Sequence, residues 1–248
     1  MQTNTPSSLE NKVILITGAA AGLGRALSLA TAAQGATVIL LDSQVRPLEK
    51  LYDEIVEQGY PEPAIYPLDM RGANEDDYQE LAASVTRSLG GLDMLVHNAA
   101  TLKHLTPLQH HSTENWYEVL QVNLSAPFML TRACLPLLIE AGNKTGHAAM
   151  LFIDDNPGDD KVAYMGAYGV AKAGLMGLMR IVANEVEENT RLLVAGYDPG
   201  PLQTALRARM FPMEKRADTP TVDSALGPLL SLLRADRADC HGTIVRNR

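Results

Sequence analysis

The sequence predicts an α/β fold, in which one doubly wound domain has a mostly parallel seven-stranded sheet with helices on both faces. Short apolar runs, as at residues 13–16 and 148–153, alternate along the chain with segments of helical periodicity. A glycine-rich turn joins the first apolar run to the first helical segment. The chain has 248 residues, of which 46% are hydrophobic, and it shows no internal repeat or linker. That composition is sufficient for one large core.

The predicted elements follow in strict alternation over most of the chain. Residues 1–10 are polar and are expected to form a flexible N-terminus, and residues 11–248 are expected to form the single domain. Strands are predicted at 13–16, 37–41, 64–68, 92–96, 148–153, 191–197 and 242–245. Helices are predicted at 26–34, 45–59, 74–89, 113–141, 164–179, 202–210 and 221–233. The third strand contains Pro67, which cannot donate to a ladder, so it is expected near the sheet edge.

The helix predicted at 113–141 is expected to be interrupted at Pro127 and Pro136. Asn123 lies inside this helix four residues before the first proline, and an Asn within a helix is mildly unfavourable. A task for Asn123 and a simple helix kink are both consistent with that position.

Composition excludes several classes of function. The net charge of −8 is spread along the chain without a basic stripe, so no nucleic-acid partner is expected. The N-terminus lacks an apolar signal core and no apolar run approaches the length of a membrane span, which predicts a cytoplasmic protein with no membrane partner. Cys134 and Cys240 lie far apart, and buried thiols are favoured over a disulfide. The histidines within 97–111 lack a metal-binding spacing, so no metal is expected.

The glycine-rich turn is a candidate site for a phosphate group. Gly18, Gly22 and Gly24 lie between a predicted strand and a predicted helix. Gly18 allows a tight turn, and Gly22 and Gly24 would let the backbone approach a diphosphate. The helix N-terminus supplies N–H groups and the positive end of a dipole. An ordinary strand-to-helix turn would carry some of the same glycines.

An acidic residue ends the second predicted strand. Asp42 lies 18 residues after Gly24, close to the spacing of a carboxylate that accepts hydrogen bonds from ribose hydroxyls. A carboxylate there repels a 2′-phosphate, and Ser43 and Gln44 provide no adjacent cation. Arg25 would supply one only if the fold brings it beside Asp42. We therefore expect NAD(H) rather than NADP(H); a plain turn role for Asp42 is the alternative.

Tyr168 and Lys172 form the candidate catalytic pair. They lie four residues apart, so a helix would place both side chains on one face, one turn apart. The ammonium favours the phenolate and would lower the pKa of the phenol, which makes the phenol a proton donor and acceptor near neutral pH. Many helices carry this spacing by chance, and the other motifs give the pair its weight.

Taken together, these features resemble the short-chain dehydrogenase/reductase family over nearly the whole chain, from about residue 11 to residue 245. The matching motifs are T-G-A-A-A-G-L-G at 17–24, Asp42, Asp69, H-N-A-A at 97–100, Asn123, Y-G-V-A-K at 168–172 and P-G-P-L-Q-T at 199–204. The resemblance implies a Rossmann fold that binds a nicotinamide dinucleotide, NAD or less favourably NADP. It also implies a small-molecule carbonyl or alcohol substrate.

The resemblance also implies roles for individual residues. Tyr168 would be the acid/base, Lys172 would lower its pKa and bind the nicotinamide ribose, and Asn123 would hold a water in a proton relay with Lys172. Asp69 would contact adenine, and Thr204 would lie beside the nicotinamide. The implied cofactor-binding residues are Gly18, Ala20, Gly22, Leu23, Gly24, Asp42, Asp69, Asn98, Ala99, Tyr168, Lys172, Pro199, Gly200 and Thr204.

Three features depart from the family pattern. His97 stands where the family has the first Asn of N-N-A-G, and the short C-terminus lacks a glycine pair. The third departure concerns catalysis: the family has a Ser thirteen residues before its Tyr, and this chain has Asp155. A serine hydroxyl donates to the substrate oxyanion, whereas an ionised carboxylate only accepts and repels it. Asp155 would serve if protonated, or it would pair with Lys172; the sequence leaves both open.

Two functional hypotheses follow. The first is an NAD(H)-dependent oxidoreductase that interconverts a secondary alcohol and a ketone, which the Tyr168–Lys172 pair and Asn123 favour. The second is a dinucleotide-binding protein with little or no dehydrogenase activity, which Asp155 favours. The resemblance further implies a homodimer or homotetramer through the helices at 113–141 and 164–179. Arg207 and Arg209 lie on the segment expected to cover the pocket, where a solvated face is favoured over binding of an acidic substrate.

Overall fold

The sheet positions the candidate site, and all of its strand pairs are parallel. The computed structural model describes residues 9–155, 163–186, 190–234 and 238–247. The strands lie at Val13–Thr17 (β1), Thr37–Asp42 (β2), Ala64–Pro67 (β3), Met94–His97 (β4), Ala148–Ile153 (β5), Leu192–Asp198 (β6) and Ile244–Arg246 (β7). Their order is β3-β2-β1-β4-β5-β6-β7. The order reverses between β1 and β4, which opens a crevice at the carboxyl ends of the strands.

The strand predictions follow from burial on both faces of the sheet. β4 and β5 are buried along their whole length, as continuous apolar runs require. β3 forms one edge and is only partly buried, and its last residue is Pro67, so the prediction of an edge strand is confirmed. The predicted α/β fold with seven strands is confirmed, and the sheet is wholly parallel.

Helices cover both faces of the sheet. They lie at Gly22–Ala32 (α1), Val45–Glu57 (α2), Glu75–Leu89 (α3), Thr113–Leu120 (α4), Ala126–Thr145 (α5), Gly166–Val186 (α6), Ala205–Met210 (α7) and Leu226–Leu233 (α8). The apolar sides of α1, α2 and α8 bury one face, and those of α3, α5 and α6 bury the other. The sheet is therefore the middle of three layers, with a core on either side.

Several helices begin at different positions from those predicted, and the largest differences are in α1 and α8. α1 begins at Gly22, four residues earlier than expected, because glycine is tolerated in a first turn whose N–H groups lack helical partners. α8 begins at Leu226, after a 3₁₀ turn at Val222–Ala225, instead of at residue 221. Pro228 has no N–H to continue an α-helix from residue 224, but it fits the first turn of a helix.

The long helical segment at Thr113–Thr145 changes its hydrogen-bond pattern beside Asn123. A π turn at Gln121–Ser125 joins α4 to α5. Pro127 falls in the first turn of α5 and Pro136 lies within it, so neither proline interrupts the helix as predicted. The irregularity falls instead on the turn that holds Asn123, and π turns are frequent at functional sites.

This segment also corrects the expectation that no apolar stretch approaches a membrane span. By length and composition alone, Thr113–Thr145 passes as a candidate, and half of its most apolar window is buried inside the protein. Leu130 and Leu138 of α5 pack in the core between α3 and the sheet. Burial in the layered core accounts for the apolar composition of this helix.

The described chain begins with a packed residue. Leu9 is buried in the core, and its N–H donates to the carbonyl of Gln34 at 3.1 Å. Residues 1–8 of the predicted flexible N-terminus lie outside the described residues. The packed part of the domain thus includes Leu9, two residues before the predicted boundary.

His97, at the end of β4, makes stability depend on pH. Its ring is buried against Phe152, with centroids 4.7 Å apart, and its Nε2 lies 2.9 Å from Oγ1 of Thr131. Burial lowers the pKa of His97 from 6.5 to about 3. Between these values the unfolded chain binds a proton that the folded chain does not. Stability is therefore fully present above pH 6.5 and is lost as the pH falls toward 3.

We expect the free energy of unfolding to fall by about 1.4 kcal/mol per pH unit below about pH 6 because of this residue. Urea unfolding at pH 7 and pH 5 measures the loss. The variant His97→Asn cannot take up the proton, so it should lose this part of the pH dependence. An unchanged pH dependence in the variant would contradict the assignment to His97.

Candidate active site

The turn between β1 and α1 requires its glycines for two different reasons. Gly18 and Gly22 have φ values of +69° and +53°, which side chains rarely adopt. A Cβ at Gly18 would also lie 2.9 Å from the Cα of Ala99. A Cβ at Gly24 would overlap the carbonyl oxygen of Gly18. Gly24 is thus required by packing within the turn. At Gly22 the missing side chain leaves the backbone at the N-terminus of α1 accessible to a ligand.

Asp42, at the end of β2, is held beside this turn. Its Oδ2 accepts from the N–H of Ala20 at 3.2 Å, and its Oδ1 accepts from the N–H of Gln44 at 3.0 Å. These bonds tie the carboxylate to the glycine turn, as the predicted ribose-binding role needs. Because the N–H of Ala20 donates to Asp42, it is not available to a ligand.

Arg25 and Arg71 are engaged by carboxylates other than Asp42. Arg25 pairs with Glu54 of α2, so the fold does not bring it to Asp42. Arg71 donates three side-chain hydrogen bonds to Asp69 at 2.6–3.0 Å, and this pairing lowers the pKa of Asp69. Asp69 lines a second cavity, of about 420 Å³, beside Asp42.

Asn98 and Ala99 join the ends of β1 and β4. The Oγ1 of Thr17 accepts from the N–H groups of both residues at 3.0 Å. The side-chain amide of Asn98 donates to the carbonyl of Thr17 at 2.8 Å. Sequence reasoning missed Thr17, whose only signal was its place directly before Gly18. These bonds hold the two loops together at the carboxyl ends of adjacent strands.

Tyr168 and Lys172 rise from the same face of α6, as their spacing predicted. The Nζ of Lys172 lies 5.8 Å from the centroid of the Tyr168 ring and donates to the carbonyl of Ile153 at 2.8 Å. Both side chains are buried, with 1% of Tyr168 and 6% of Lys172 exposed. Burial lowers the pKa of Lys172, and the charges of Asp155 and Asp154 oppose that shift.

The hydroxyl of Tyr168 is bound by a carboxylate. It donates to Oδ2 of Asp155 at 2.6 Å, so Asp155 contacts the phenol instead of pairing with Lys172. Burial raises the pKa of Tyr168 well above its usual range, and Asp155 raises it further. The net pKa of Tyr168 is therefore raised, the opposite of the expected lowering, because desolvation and a bonded carboxylate both favour the neutral phenol.

Asp154 supports Asp155 from the end of β5. Its Oδ1 accepts from the N–H of Asp155 at 2.9 Å, and its own N–H donates to the carbonyl of Tyr197 at 2.8 Å. Burial raises the pKa of Asp154, although the charge of Lys172 opposes this. The rest of the predicted acidic turn, residues 156–161, lies outside the described residues.

Asn123 binds the loop after β4. Its Oδ1 accepts from the N–H of Thr101 and its Nδ2 donates to the carbonyl of Thr101, both at 2.8 Å. Asn123 is buried, with 1% exposed. Both polar atoms of the side chain are used, so the amide positions this loop. The predicted water relay gains no support from the side chain.

The segment after β6 brings its predicted residues over the glycine turn. Gly200 has φ +68° and its N–H donates to Asp198 at 2.9 Å. Thr204 is the N-cap of α7, where its Oγ1 accepts from the N–H of Arg207 at 3.1 Å. The methyl group of Thr204 lies 3.4 Å from the position of a Cβ at Gly22.

One cavity of about 320 Å³ unites most of these residues. Its lining includes the predicted residues Gly18, Gly22, Leu23, Asp42, Asn98, Ala99, Asp155, Tyr168, Lys172, Pro199, Gly200 and Thr204. Four predicted residues do not line this cavity: Ala20, Gly24, Asp69 and Asn123. Asp69 lines the second cavity, and the other three support residues that line this cavity or the loop beside it. No three His, Cys, Asp or Glu residues in the described ranges form a group that fits a metal ion. The arrangement can hold an elongated ligand between Asp42 and Tyr168.

Comparison with known proteins agrees with this geometry. Residues 12–215 match the family described as short chain dehydrogenase. The chain is 35% identical over 206 residues to the uncharacterized oxidoreductase YciK of Escherichia coli K12, which covers 83% of this chain and 79% of that protein. It is 31% identical over 221 residues to the 3-oxoacyl-[acyl-carrier-protein] reductase FabG of Thermotoga maritima, with coverages of 88% and 85%.

A solved structure is also closely similar. A short chain dehydrogenase from Shigella flexneri 2a, complexed with NADP, superposes with a TM-score of 0.91 at 32% identity. The match covers 97% of this chain and 98% of that one. The fold is therefore shared with a protein whose structure holds NADP.

Proposed function

Because the chain belongs to the short chain dehydrogenase family of oxidoreductases, we propose that it interconverts a secondary alcohol and a ketone by hydride transfer with NAD(H). One observation carries the proposal: Tyr168 and Lys172 line the same cavity as the glycine turn and Asp42. A proton donor and a dinucleotide-binding turn thus face a common space. The Thermotoga maritima relative, a 3-oxoacyl reductase, acts on a ketone of this general class.

The residues that line the cavity fit a dinucleotide. The backbone at Gly22 and the N-terminus of α1 offer N–H groups to a diphosphate, and no acidic side chain in the first turn of α1 opposes it. Asp42 offers a carboxylate to ribose hydroxyls at one end. Lys172 lies at the other end, beside the space that a nicotinamide ribose would occupy.

Tyr168 would move the proton. A bound nicotinamide would supply a hydride to the carbonyl carbon in reduction or accept one from the carbinol carbon in oxidation. In reduction, the hydroxyl of Tyr168 turns from Asp155 to the carbonyl oxygen and gives up its proton, and Lys172 stabilises the phenolate that remains. In oxidation, the phenolate takes the proton of the alcohol. The raised pKa of Tyr168 keeps the phenol protonated at neutral pH, but it also makes the phenol a weaker acid toward the carbonyl oxygen.

The assay for this function is loss of NADH absorbance in the presence of carbonyl compounds, screened from small ketones to diketones and 3-oxoacyl thioesters. Turnover above the rate of the protein-free solution supports the proposal. NADH binding without turnover of any compound supports instead the second candidate below.

The expected cofactor is NAD, although the Shigella flexneri relative is complexed with NADP. Asp42 repels a 2′-phosphate, and the guanidinium groups of Arg25 and Arg71 are held by carboxylates. We expect NADH to bind about tenfold more tightly than NADPH, since a like charge beside a phosphate costs on the order of 1 kcal/mol or more. Isothermal titration with each cofactor measures this ratio. Equal or reversed affinities would contradict the assignment.

The second candidate is a dinucleotide-binding protein with little dehydrogenase activity. The hydrogen bond from Tyr168 to Asp155 favours it, because the carboxylate holds the catalytic proton and stands where the resemblance implies a hydroxyl donor. A bound carbonyl would then meet a negative charge at its oxygen.

Self-association also belongs to the proposal. Phe128 of α5 and Val170 and Ile181 of α6 are about half exposed, which leaves apolar side chains in solvent on the two helices that the family resemblance assigns to subunit contact. Covering them in a homodimer or homotetramer removes that apolar area from water.

A further inference from the structure

A cation of the short helix α7 lies where two cavities meet. Arg209 lines both the cavity of Tyr168 and the glycine turn and the second cavity beside Asp42 and Asp69. The two cavities also share Gly18 and Asp42, so they adjoin at the turn between β1 and α1. An elongated ligand that occupies both would pass Arg209 at its middle.

The other cations of the two cavities already have partners. Lys103 pairs with Glu118 at 2.6 Å, and Arg207 pairs with Glu214 at 2.6 Å and lies over the ring of Phe211. Arg71 and Lys172 are bound as described above. Within the described ranges, Arg209 makes no ion pair or side-chain hydrogen bond. Its guanidinium is exposed and has five donors available.

The charges around Arg209 indicate what it binds. Asp42, Asp154 and Asp155 contribute carboxylates to the cavity of Tyr168, and the cation buried there, Lys172, lies at the nicotinamide end. The two negative charges of a dinucleotide diphosphate would fall at the glycine turn, between these ends. The N-terminus of α1 offers only a partial positive charge there. Arg209 can add a full positive charge to that partial one, because it lines both cavities beside the glycine turn.

The attachment of α7 keeps Arg209 near the turn. Thr204 caps α7 and contacts the position above Gly22. Arg209 lies five residues beyond this cap, on a helix anchored by the buried Met210. An arginine fork suits two phosphate oxygens at once, which a lysine cannot match.

We propose that Arg209 binds the diphosphate of the dinucleotide from the side opposite α1, so that α7 and the glycine turn enclose it. This inference rests on the proposed function and adds a cofactor-binding residue that the sequence analysis placed on a solvated face. It makes the segment over the pocket part of the nucleotide site.

The test compares Arg209→Ala with Lys215→Ala, which removes the same charge from an exposed position on the same segment outside both cavities. Titration with NADH and with ADP-ribose should show about a tenfold or greater loss of affinity in Arg209→Ala. Adenosine, which has no phosphate, should bind both variants and the wild type equally. The affinity of the wild type for NADH should fall more steeply with NaCl than that of Arg209→Ala.

The outcomes separate the inference from the proposed function. If wild type and Arg209→Ala bind NADH with equal affinity, the inference is overturned and the proposed function is not. A loss confined to NADPH also overturns it, because the contact would then be to the 2′-phosphate. Equal losses in Lys215→Ala and Arg209→Ala overturn it as a general charge effect. A wild type that binds no dinucleotide refutes the proposed function and the inference together.

Discussion

Replacing Asp155 with serine is expected to raise the turnover number for ketone reduction by about 10²–10³. The serine hydroxyl can donate to the developing oxyanion, whereas the carboxylate repels it. The change also frees the hydroxyl of Tyr168, which in the wild type donates to Oδ2 of Asp155 at 2.6 Å. Because Asp155 raises the pKa of Tyr168, that pKa should fall in the variant. The limb of the pH–rate profile for alcohol oxidation that rises with pH should therefore move to lower pH.

Asp155→Ala separates the two contributions. It removes the charge without adding a donor, so it should shift the pH profile as the serine variant does but gain less in turnover. Steady-state kinetics of wild type, Asp155→Ser and Asp155→Ala on the same ketone give the comparison. If the serine variant still binds NADH but gains no turnover, the account based on a missing donor is wrong. If alanine gains as much as serine, the charge alone is responsible.

Replacing Tyr168 with phenylalanine is expected to lower kcat/KM by about 10²–10⁴, because the variant has no proton to give to the carbonyl oxygen. Affinity for NADH should change little, since the glycine turn and Asp42 are untouched. The ring keeps its packing against Leu102 and Val119, so the variant should fold. Stopped-flow measurement of NADH oxidation together with NADH titration separates chemistry from binding.

Tyr164→Phe is the matched control for this variant. Tyr164 precedes the same helix but is 60% exposed, so loss of its hydroxyl should leave kcat/KM within about twofold. A Tyr168→Phe protein with wild-type activity would exclude Tyr168 as the acid/base. A wild type that binds NADH but turns over no ketone or alcohol would favour the binding protein that Asp155 suggests.

The sheet was predictable because its signals are local. A strand buried on both faces must be apolar along its length, and β5 could be read from Ala148–Ile153 without any knowledge of its neighbours. The glycine turn was predictable for the same reason: the φ values at Gly18 and Gly22 belong to the turn itself. Helix ends were harder to predict, since α1 could begin within the glycines at no cost in hydrogen bonds.

The partners of the site residues were not predictable in the same way. Arg25 is bound by Glu54 and Asn123 is bound by Thr101, and both contacts join segments more than 20 residues apart. The sequence offered Arg25 as a cation for Asp42 and Asn123 as a water ligand, and neither alternative could be weighed without the packing of the elements. Arg209 likewise lies beside the glycine turn only because the segment after β6 folds back over the cavity.

The sequence by itself determined the layered fold, the turn that suits a diphosphate and the shared helix face of Tyr168 and Lys172, because each depends on spacing along one segment. Only the tertiary structure decided the state of the phenol. Lys172, one helical turn away, would lower the pKa of Tyr168 in water. Burial and the hydrogen bond to Asp155 instead raise it, since desolvation depends on every element that packs around the site and outweighs one neighbouring charge.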